Sequence, residues 1–377
     1  MRSGRFSLRF RTKVTESDTD CADPRRASPT SSRRSETAAE GFSTSALAVV
    51  VRPSRTGHHR GMELPPLILS SDLARLGQDA RGLARQAKSG QLRRIRQGVY
   101  VRAQDWESLT PWDRYPVLIR AAASTLKSRT IFCRQSSAAL WDMPLLGHRH
   151  LVHACTSDGG GGRSRAGVRR HFVDLDSAQI EERHGLLVTD RVRTALDLAA
   201  FESFEQGVTV FDHVLRPQPD DLAPLSREEL HAGIDGNYTK AAARRIRTAL
   251  DFADPASGSP GESVSRALMH RRGFRIPFLQ VEIRDARGLV AFTDFDWPEE
   301  QLCGEFDGLV KYRKAEFLQG RTPAEALTDE KRREDRIRAT GRRVIRWTWS
   351  ELSSPGKFEA FLAAAGVPRR TLPSCRR

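Results

Sequence analysis

Two acidic runs near the C-terminus constrain most strongly how this chain folds. Residues 293–307 contain two segments in which acidic and apolar side chains alternate, the period of a β-strand with two different faces. A four-residue connection between them pairs Trp297 with Leu302 and sets Asp294 opposite Glu305. The pattern predicts an apolar face of Thr293, Phe295, Trp297, Leu302 and Phe306, and an acidic face of Asp294, Asp296, Glu305 and Asp307.

The acidic face needs a positive partner, because carboxylates directly opposed on neighbouring strands repel each other. A Mg²⁺ or Mn²⁺ ion is one such partner, since Mg²⁺ binds one or two carboxylates and keeps positions for water and phosphate oxygens. The basic runs 311–314 and 331–333 follow the hairpin, and such a rim attracts a nucleic-acid backbone. The alternative is a solvated acidic face, which is common on antiparallel sheets.

The region 256–366 is predicted to be an α/β domain. Helices are expected at 262–271, 323–339 and 355–364, and strands at 278–283, 290–297, 302–306 and 344–349. Strands on both sides of a central helix favour a sheet that is covered by helices.

Five motifs between about 255 and 365 point to a family. They are Gly261 to Ser263, Thr293 to Trp297, Gly304 to Gly308, Glu330 to Asp335 continuing to Gly341, and Val344 to Trp349. Together they resemble the Vsr-like endonuclease domains of the PD-(D/E)XK superfamily, which implies a restriction-endonuclease-like fold. The resemblance implies that Asp294 and Glu305 bind the metal, with Glu262 as a third acid.

The resemblance also assigns candidate catalytic residues beyond Asp294 and Glu305. Asp307 stands where the superfamily usually has its catalytic lysine, and Lys311 stands where related domains often have histidine. Lys331 is a second candidate to reach the scissile phosphate.

The region 62–106 has the pattern of a winged helix-turn-helix. Ser71 and Asp72 are expected to cap a first helix that Gly77 ends, and a second helix is expected to end at Ser89. A two-stranded ribbon that turns near Gly98 follows them.

The region 110–252 is predicted to be a mixed α/β domain. Helices are expected at 119–126, 136–140 and 240–252, and after a cap at Thr189; strands are expected at 151–155, 172–175 and 186–188. Within 65–215, three motifs, Leu92 to Val101, Ser136 to Pro144 and Val188 to Leu198, resemble the AbiEi-like antitoxins of type IV toxin–antitoxin systems.

The antitoxin resemblance implies that the first part of the chain binds DNA and that a cognate toxin protein is a partner. Its implied DNA contacts are Gln78, Arg81, Arg85 and Lys88 on the second helix, and Arg93, Arg94 and Arg96 on the ribbon. The alternative is an ordinary basic surface helix.

Composition agrees with a polyanion partner. The 377 residues hold 62 Lys and Arg against 47 Asp and Glu, a net charge of +15. No apolar run approaches the roughly 20 residues of a membrane span, and five scattered cysteines favour the reducing cytoplasm. Residues 1–61 and 367–377 are predicted to be a disordered leader and tail, with translation beginning at Met62.

We therefore expect a multidomain α/β protein of the cytoplasm that binds DNA and carries an Mg²⁺-dependent endonuclease domain. Two alternatives stay open: an antitoxin-type transcriptional repressor with an inactive nuclease-like domain, and a nuclease that acts on RNA.

Overall fold

The computed structural model describes residues 64–370, apart from 78, 80, 127–128, 149, 157–166, 174, 176–178, 219–221 and 309–321. This part of the chain is mixed α/β, with three separate sheets, as the sequence predicts in its coarse outline. The predicted leader, residues 1–61, lies outside the described residues, as does 371–377 of the predicted tail.

The first sheet belongs to a small N-terminal module. Its elements are β1 (Ile68–Leu69), α1 (Ser70–Arg75), α2 (Gly82–Lys88), β2 (Leu92–Arg96) and β3 (Val99–Arg102), with the antiparallel strand order β1-β3-β2. The predicted order of two helices and a ribbon is therefore confirmed. Gly98 turns the ribbon with a φ of +75°, a conformation that glycine adopts readily.

Four buried side chains, Leu73, Leu83, Leu92 and Tyr100, join both helices to this sheet. The predicted cap of α1 is wrong, because the helix already begins at Ser70. Its N-cap residue makes no side-chain hydrogen bond.

The second sheet belongs to the middle region. Its elements are α3 (Ala103–Ser108), α4 (Arg114–Ala123), β4 (Ile131–Phe132), α5 (Arg134–Leu140), β5 (Val152–Thr156), β6 (Val168–Phe172), β7 (Ile180–Arg183), β8 (Leu186–Thr189), α6 (Arg191–Phe201), α7 (Phe204–Val214), α8 (Arg227–Ala232) and α9 (Lys240–Phe252). The strand order is β6-β5-β4-β8-β7, with parallel pairs β5–β6 and β4–β8. Helices α5, α6, α7 and α9 contribute most of the apolar core beside it.

Three local predictions for this region are wrong. The strand expected at 172–175 ends at Phe172 instead of beginning there. The helix expected at 119–126 is α4, which starts five residues earlier and ends at Ala123. Thr189 is the last residue of β8, and the carboxylate of Asp190 caps α6 by accepting a hydrogen bond from the backbone N–H of Arg193.

The third sheet belongs to the C-terminal region. Its elements are α10 (Pro260–Arg271), β9 (Phe278–Asp285), β10 (Gly288–Trp297), a 3₁₀ turn (Pro298–Glu300), β11 (Leu302–Phe306), α11 (Pro323–Ala339), β12 (Arg343–Trp347), α12 (Trp349–Leu352) and α13 (Pro355–Ala364). The strand order is β12-β11-β10-β9, and β11 runs parallel to β12. The helices predicted at 323–339 and 355–364 and the strand at 302–306 are confirmed.

The hairpin register is also as predicted, since Trp297 pairs with Leu302. The predicted apolar face is buried: Phe295, Trp297, Leu302 and Phe306 pack in one cluster with residues of α10 and α13. The opposite face is covered as well, because Cys303 packs with Ile337 of α11. The sheet therefore lies between helices, and its acidic face is not simply solvated.

Two predictions at the C-terminus need correction. The last strand ends at Trp347, and Thr348 then caps the short helix α12. Residues 367–370, assigned by the sequence to a disordered tail, instead form a bridge in which Arg369 pairs with Phe274. In the part of the chain with described structure, no helix is long and apolar enough to span a membrane.

Candidate nucleic-acid interface and acidic cluster

One side of α2 is basic. Arg81, Arg85 and Lys88 are spaced three or four residues apart, so they lie on the same side of the helix. Leu83 and Ala87 lie on the other side and pack into the core of the module. We call Arg81, Arg85 and Lys88 the α2 basic face; all three side chains are exposed.

An acidic side chain contacts this face. Nη2 of Arg85 donates a hydrogen bond to Oδ2 of Asp79 at 2.8 Å. Both side chains are more than half exposed, so water screens the pair and it is worth little. Gln78, which was also predicted on the second helix, precedes Gly82, where α2 begins, and lies outside the described residues.

The ribbon adds further positive charge. Arg93 and Arg94 on β2 are exposed, and Arg94 Nε donates to the carbonyl oxygen of Arg96 at 3.3 Å. Arg96 is half-buried, and that burial lowers the pKa of its guanidinium. Residues 64–102 contain eight Lys and Arg and two Asp, a net charge of +6.

The acidic face of the hairpin has protein partners of its own. Asp296 is fully buried, where Nε of Arg342 donates to its Oδ1 at 3.1 Å and Sγ of Cys303 donates to the same atom at 3.2 Å. Burial, and then the hydrogen bond to Asp296, raises the pKa of the Cys303 thiol to about 12. Asp296 is therefore a structural, charge-balanced carboxylate.

Asp294 lies where the two strands of the hairpin separate. The paired register of the hairpin ends with Phe295 opposite Gly304, and its next step would set Asp294 against Glu305. At that point Oδ2 of Asp294 accepts a hydrogen bond from the backbone N–H of Phe306 at 2.8 Å. The Asp294 carboxylate thus takes the place of a backbone carbonyl as the acceptor for the Phe306 N–H of β11.

Glu305 faces two guanidinium groups. Nη2 of Arg333, on α11, lies 3.0 and 3.1 Å from its two carboxylate oxygens. Nε of Arg346 donates to Oε2 at 3.0 Å, because the parallel register places Arg346 directly beside Glu305. The predicted repulsion on this face is therefore balanced by arginine.

Two glutamates of α11 extend this network. Arg333 Nη2 also donates to Glu330 at 2.6 Å, and Arg346 Nη2 pairs with Glu330 and lies 3.1 Å from Glu334. Burial opposes ionisation of Glu330, but the hydrogen bonds and charges of Arg333 and Arg346 together outweigh it and lower the pKa of its carboxyl. We call Glu305, Glu330, Glu334, Arg333 and Arg346 the Arg–Glu cluster.

The third predicted metal ligand caps its own helix. Glu262 is 5% exposed, and its carboxylate accepts hydrogen bonds from the backbone N–H of Gly258 at 2.7 Å and from the Ser259 hydroxyl at 2.8 Å. Ser259 in turn accepts from the backbone N–H of Glu262. Both oxygens of this acid are therefore used at the start of α10.

Of the remaining predicted catalytic residues, the structure describes Asp307 and Lys331. The backbone N–H of Asp307 donates to the carbonyl oxygen of Trp347 at 2.9 Å. Lys331 is exposed on α11, and Lys311 lies outside the described residues.

Two of the predicted metal ligands, Glu305 and Glu262, do not fit a Mg²⁺ ion as they are arranged. Glu305 is held by two guanidinium groups and Glu262 by two donors at the start of its own helix. No group of three or more His, Cys, Asp or Glu side chains within the described parts of 64–370 is placed to hold a metal.

The arginine partners of the acidic face were not predicted from the sequence. Arg346 lies in the last strand and Arg342 lies just before it, and the sequence shows that both are basic. What the sequence does not supply is the parallel pairing of β11 with β12, which brings Arg346 beside Glu305.

Comparison with known proteins does not assign a function. No family model matches the chain. Over 247 residues, 66% of this chain, it is 26% identical to the uncharacterized protein Rv2248 of Mycobacterium tuberculosis strain H37Rv, of which the match covers 82%. The uncharacterized protein MT2308 of strain CDC 1551 / Oshkosh matches with the same identity and coverage.

One solved structure is also similar, the crystal structure of the RV2827C protein from Mycobacterium tuberculosis. The match covers 58% of this chain and 83% of that one, with 15% identity and a TM-score of 0.34. A likeness of that size carries no argument about fold or activity.

Proposed function

We propose that the chain is a DNA-binding protein that docks its N-terminal module, as a winged helix, on double-stranded DNA. The observation that carries this proposal is the excess of exposed cations in the module. Three lie on the α2 basic face, and Arg93 and Arg94 lie on β2; of these five, only Arg85 has a carboxylate partner among the described residues.

The dimensions of the module support the same partner. An α-helix with its side chains is about 10–12 Å in diameter, and the major groove of B-DNA is about 12 Å wide, so α2 can enter it with its exposed side. Arginine and lysine beside a groove contact phosphate oxygens, and arginine also donates to guanine in a bidentate geometry. Cations on a helix and on an adjoining ribbon supply both kinds of contact.

A binding assay with matched variants tests the proposal. The full chain is titrated into a fluorescent duplex library at 100 mM salt, beside the variant Arg81→Gln/Arg85→Gln/Lys88→Gln. A second triple variant, Lys240→Gln/Arg244→Gln/Arg245→Gln, removes three equally exposed cations from α9 and is the charge-matched control.

The α2 variant should bind duplex at least 100-fold more weakly than the parent chain, whereas the α9 variant should stay within about threefold. Equal losses in both variants would attribute binding to net charge alone and would refute the assigned surface. Thermal unfolding of each variant checks that the module remains folded.

The second candidate is the phosphodiester hydrolysis that the acid spacing predicts. Hydrolysis is favoured by the position of Asp294, whose carboxylate binds the N–H of the residue after Glu305. The two guanidinium groups on Glu305 argue against hydrolysis. Because the donor set does not fit the ion, we prefer DNA binding without hydrolysis, as in the repressor alternative. The cognate toxin remains a prediction from the resemblance.

A cleavage assay separates the two candidates. Plasmid DNA and RNA oligonucleotides are incubated with the parent chain and with Asp294→Ala in Mg²⁺ or Mn²⁺. Our preference predicts no difference between the two proteins. Cleavage that Asp294→Ala abolishes would establish the nuclease instead, and the RNA arm would identify its substrate.

A further inference from the structure

A cavity of about 310 Å³ opens in the middle region, away from the N-terminal module. Its wall is formed by the first residue of α5, the end of β6, one side of α6 and the loop before α9. The residues that matter here are Arg134, Phe172, Arg193, Asp197, Phe201 and Tyr238. Its volume is at the small end of the range for ligand pockets, roughly 300–1,000 Å³.

The floor of this cavity is a rigid polar network. Arg193, Asp197 and Phe201 follow each other at four-residue spacing, so α6 presents them on one side. Nε of Arg193 donates to Oδ1 of Asp197 at 3.0 Å, and the Tyr238 hydroxyl donates to the same oxygen at 2.7 Å. Asp197 thus accepts both bonds through Oδ1 and ties Arg193 to Tyr238.

Arg134 is the unusual residue of the wall. Its backbone has a φ of +51°, which costs energy in a residue with a side chain and which tends to occur at functional positions. Its Nε is buried and has no hydrogen-bond partner among the described residues. Its guanidinium lies 3.8 Å from the centre of the Phe201 ring. The arginine is thus held at a positive φ, with its guanidinium against the Phe201 ring in the wall of the cavity.

The cavity also exposes two aromatic rings. Phe172 is 58% exposed and Phe201 is 42% exposed, although most large apolar residues of this region are buried. Exposed apolar surface at a concave, polar site is typical of a ligand pocket. Both rings line the same cavity as the arginines.

The neighbouring histidines indicate a positive environment. Nδ1 of His153 lies 2.9 Å from Nε2 of His171. Burial, and after it the charges of Arg134 and Arg169, lower the pKa of His171 to about 4. The charges of Arg134 and Arg169, which contribute to this shift, also favour a bound anion.

We propose that this cavity binds a small molecule that carries one anionic group and one planar ring. The anionic group contacts Arg134 and Arg193, and the ring packs against Phe172 and Phe201. A nucleoside monophosphate and an aromatic carboxylic acid share this chemistry. The proposal does not depend on DNA binding, because the pocket and the N-terminal module share no residues.

Isothermal titration of the full chain, without DNA, tests the site. One series contains the four 5′-nucleoside monophosphates, and the other contains benzoate and indole-3-carboxylate. Inorganic phosphate, which lacks the ring, and benzamide, which lacks the charge, are the matched probes. At least one ring-bearing anion should bind at least tenfold more tightly than either probe, and the better series identifies the source of the ligand.

The decisive variant is Arg134→Asn. Asparagine tolerates a positive φ better than arginine does, so this change removes the guanidinium without adding backbone strain. It should weaken binding at least tenfold while the melting temperature does not fall. Arg129→Gln is the control, because that arginine is 80% exposed and lies outside the cavity lining.

Three outcomes would overturn the proposal. They are no binding below 1 mM by either series, equal binding of benzamide and benzoate, and an unchanged affinity in Arg134→Asn. Should Arg134→Asn prove unstable, Phe201→Leu provides an independent variant, since it removes the ring contact and should also weaken binding tenfold.

Discussion

Arg266 on α10 and Asp212 on α7 form a buried ion pair, and replacing Arg266 with methionine should destabilise the protein by about 3–5 kcal/mol. The two groups lie 3.0 Å apart, and their side chains are only 3% and 1% exposed. Without the guanidinium, Asp212 remains as an uncompensated charge away from water. Arg266 also donates to the Ser257 hydroxyl at 3.1 Å and to the Phe252 carbonyl at 2.9 Å, so these acceptors lose their donor as well.

The double variant Asp212→Leu/Arg266→Met should recover much of that loss. Burial raises the pKa of Asp212 more than the charge of Arg266 lowers it, so the pair does not fully repay its desolvation. The cycle should therefore give a coupling energy of about 2–3 kcal/mol. Urea unfolding, followed by circular dichroism at pH 7, measures the stability of the parent chain, of Arg266→Met, of Asp212→Leu and of the double variant.

The exposed pair between Arg247 and Asp235 is the matched control for this cycle. It is just as short, at 2.8 Å, but its side chains are 46% and 80% exposed. Arg247→Gln should therefore cost less than about 1 kcal/mol. A loss below 1 kcal/mol in Arg266→Met, or additive losses in the double variant, would refute the argument from burial.

Two further predictions concern packing and pH. Gly261→Ala should cost about 1–3 kcal/mol or more in urea unfolding, because its Cβ would lie 2.0 Å from Cε1 of Phe306; Gly356→Ala, with nothing within 4 Å, is the control and should cost nothing. His171 takes up a proton at about pH 4 in the folded chain but at its ordinary pKa of 6.5 when unfolded. Stability should therefore be complete above pH 6.5 and fall as the pH drops toward 4. His171→Asn should flatten that decline in melting temperature between pH 7 and 5, and an unchanged slope would contradict the assignment.

The sequence was most informative where its pattern is local. The alternation in 293–307 and the short connection are enough to predict that Trp297 pairs with Leu302, because a one-residue slip would turn Phe295 out of the core. Helix α9 was predicted with its observed bounds, since Thr239 before it and the spacing of its apolar residues mark a helix.

Contacts between distant segments could not be predicted in the same way. Arg346 meets Glu305 through a parallel strand pair that is 41 residues apart in the chain, and nothing in either segment specifies that register. A metal ion was therefore the expected partner of the acids, whereas the structure places guanidinium groups there. The cavity beside Arg134 likewise depends on α6 and on the loop before α9, far along the chain.

The salt dependence of duplex binding tests the central claim most directly. Each phosphate contact contributes about −0.9 to the slope of log affinity against log salt. Five contacts, from the α2 basic face and from Arg93 and Arg94 on β2, therefore predict a slope of about −4.5. Affinity should then fall by roughly 500-fold between 50 and 200 mM salt, but only by about 12-fold once the α2 basic face is removed. An unchanged slope in that variant, or an equal reduction in the α9 control, would contradict the proposed interface.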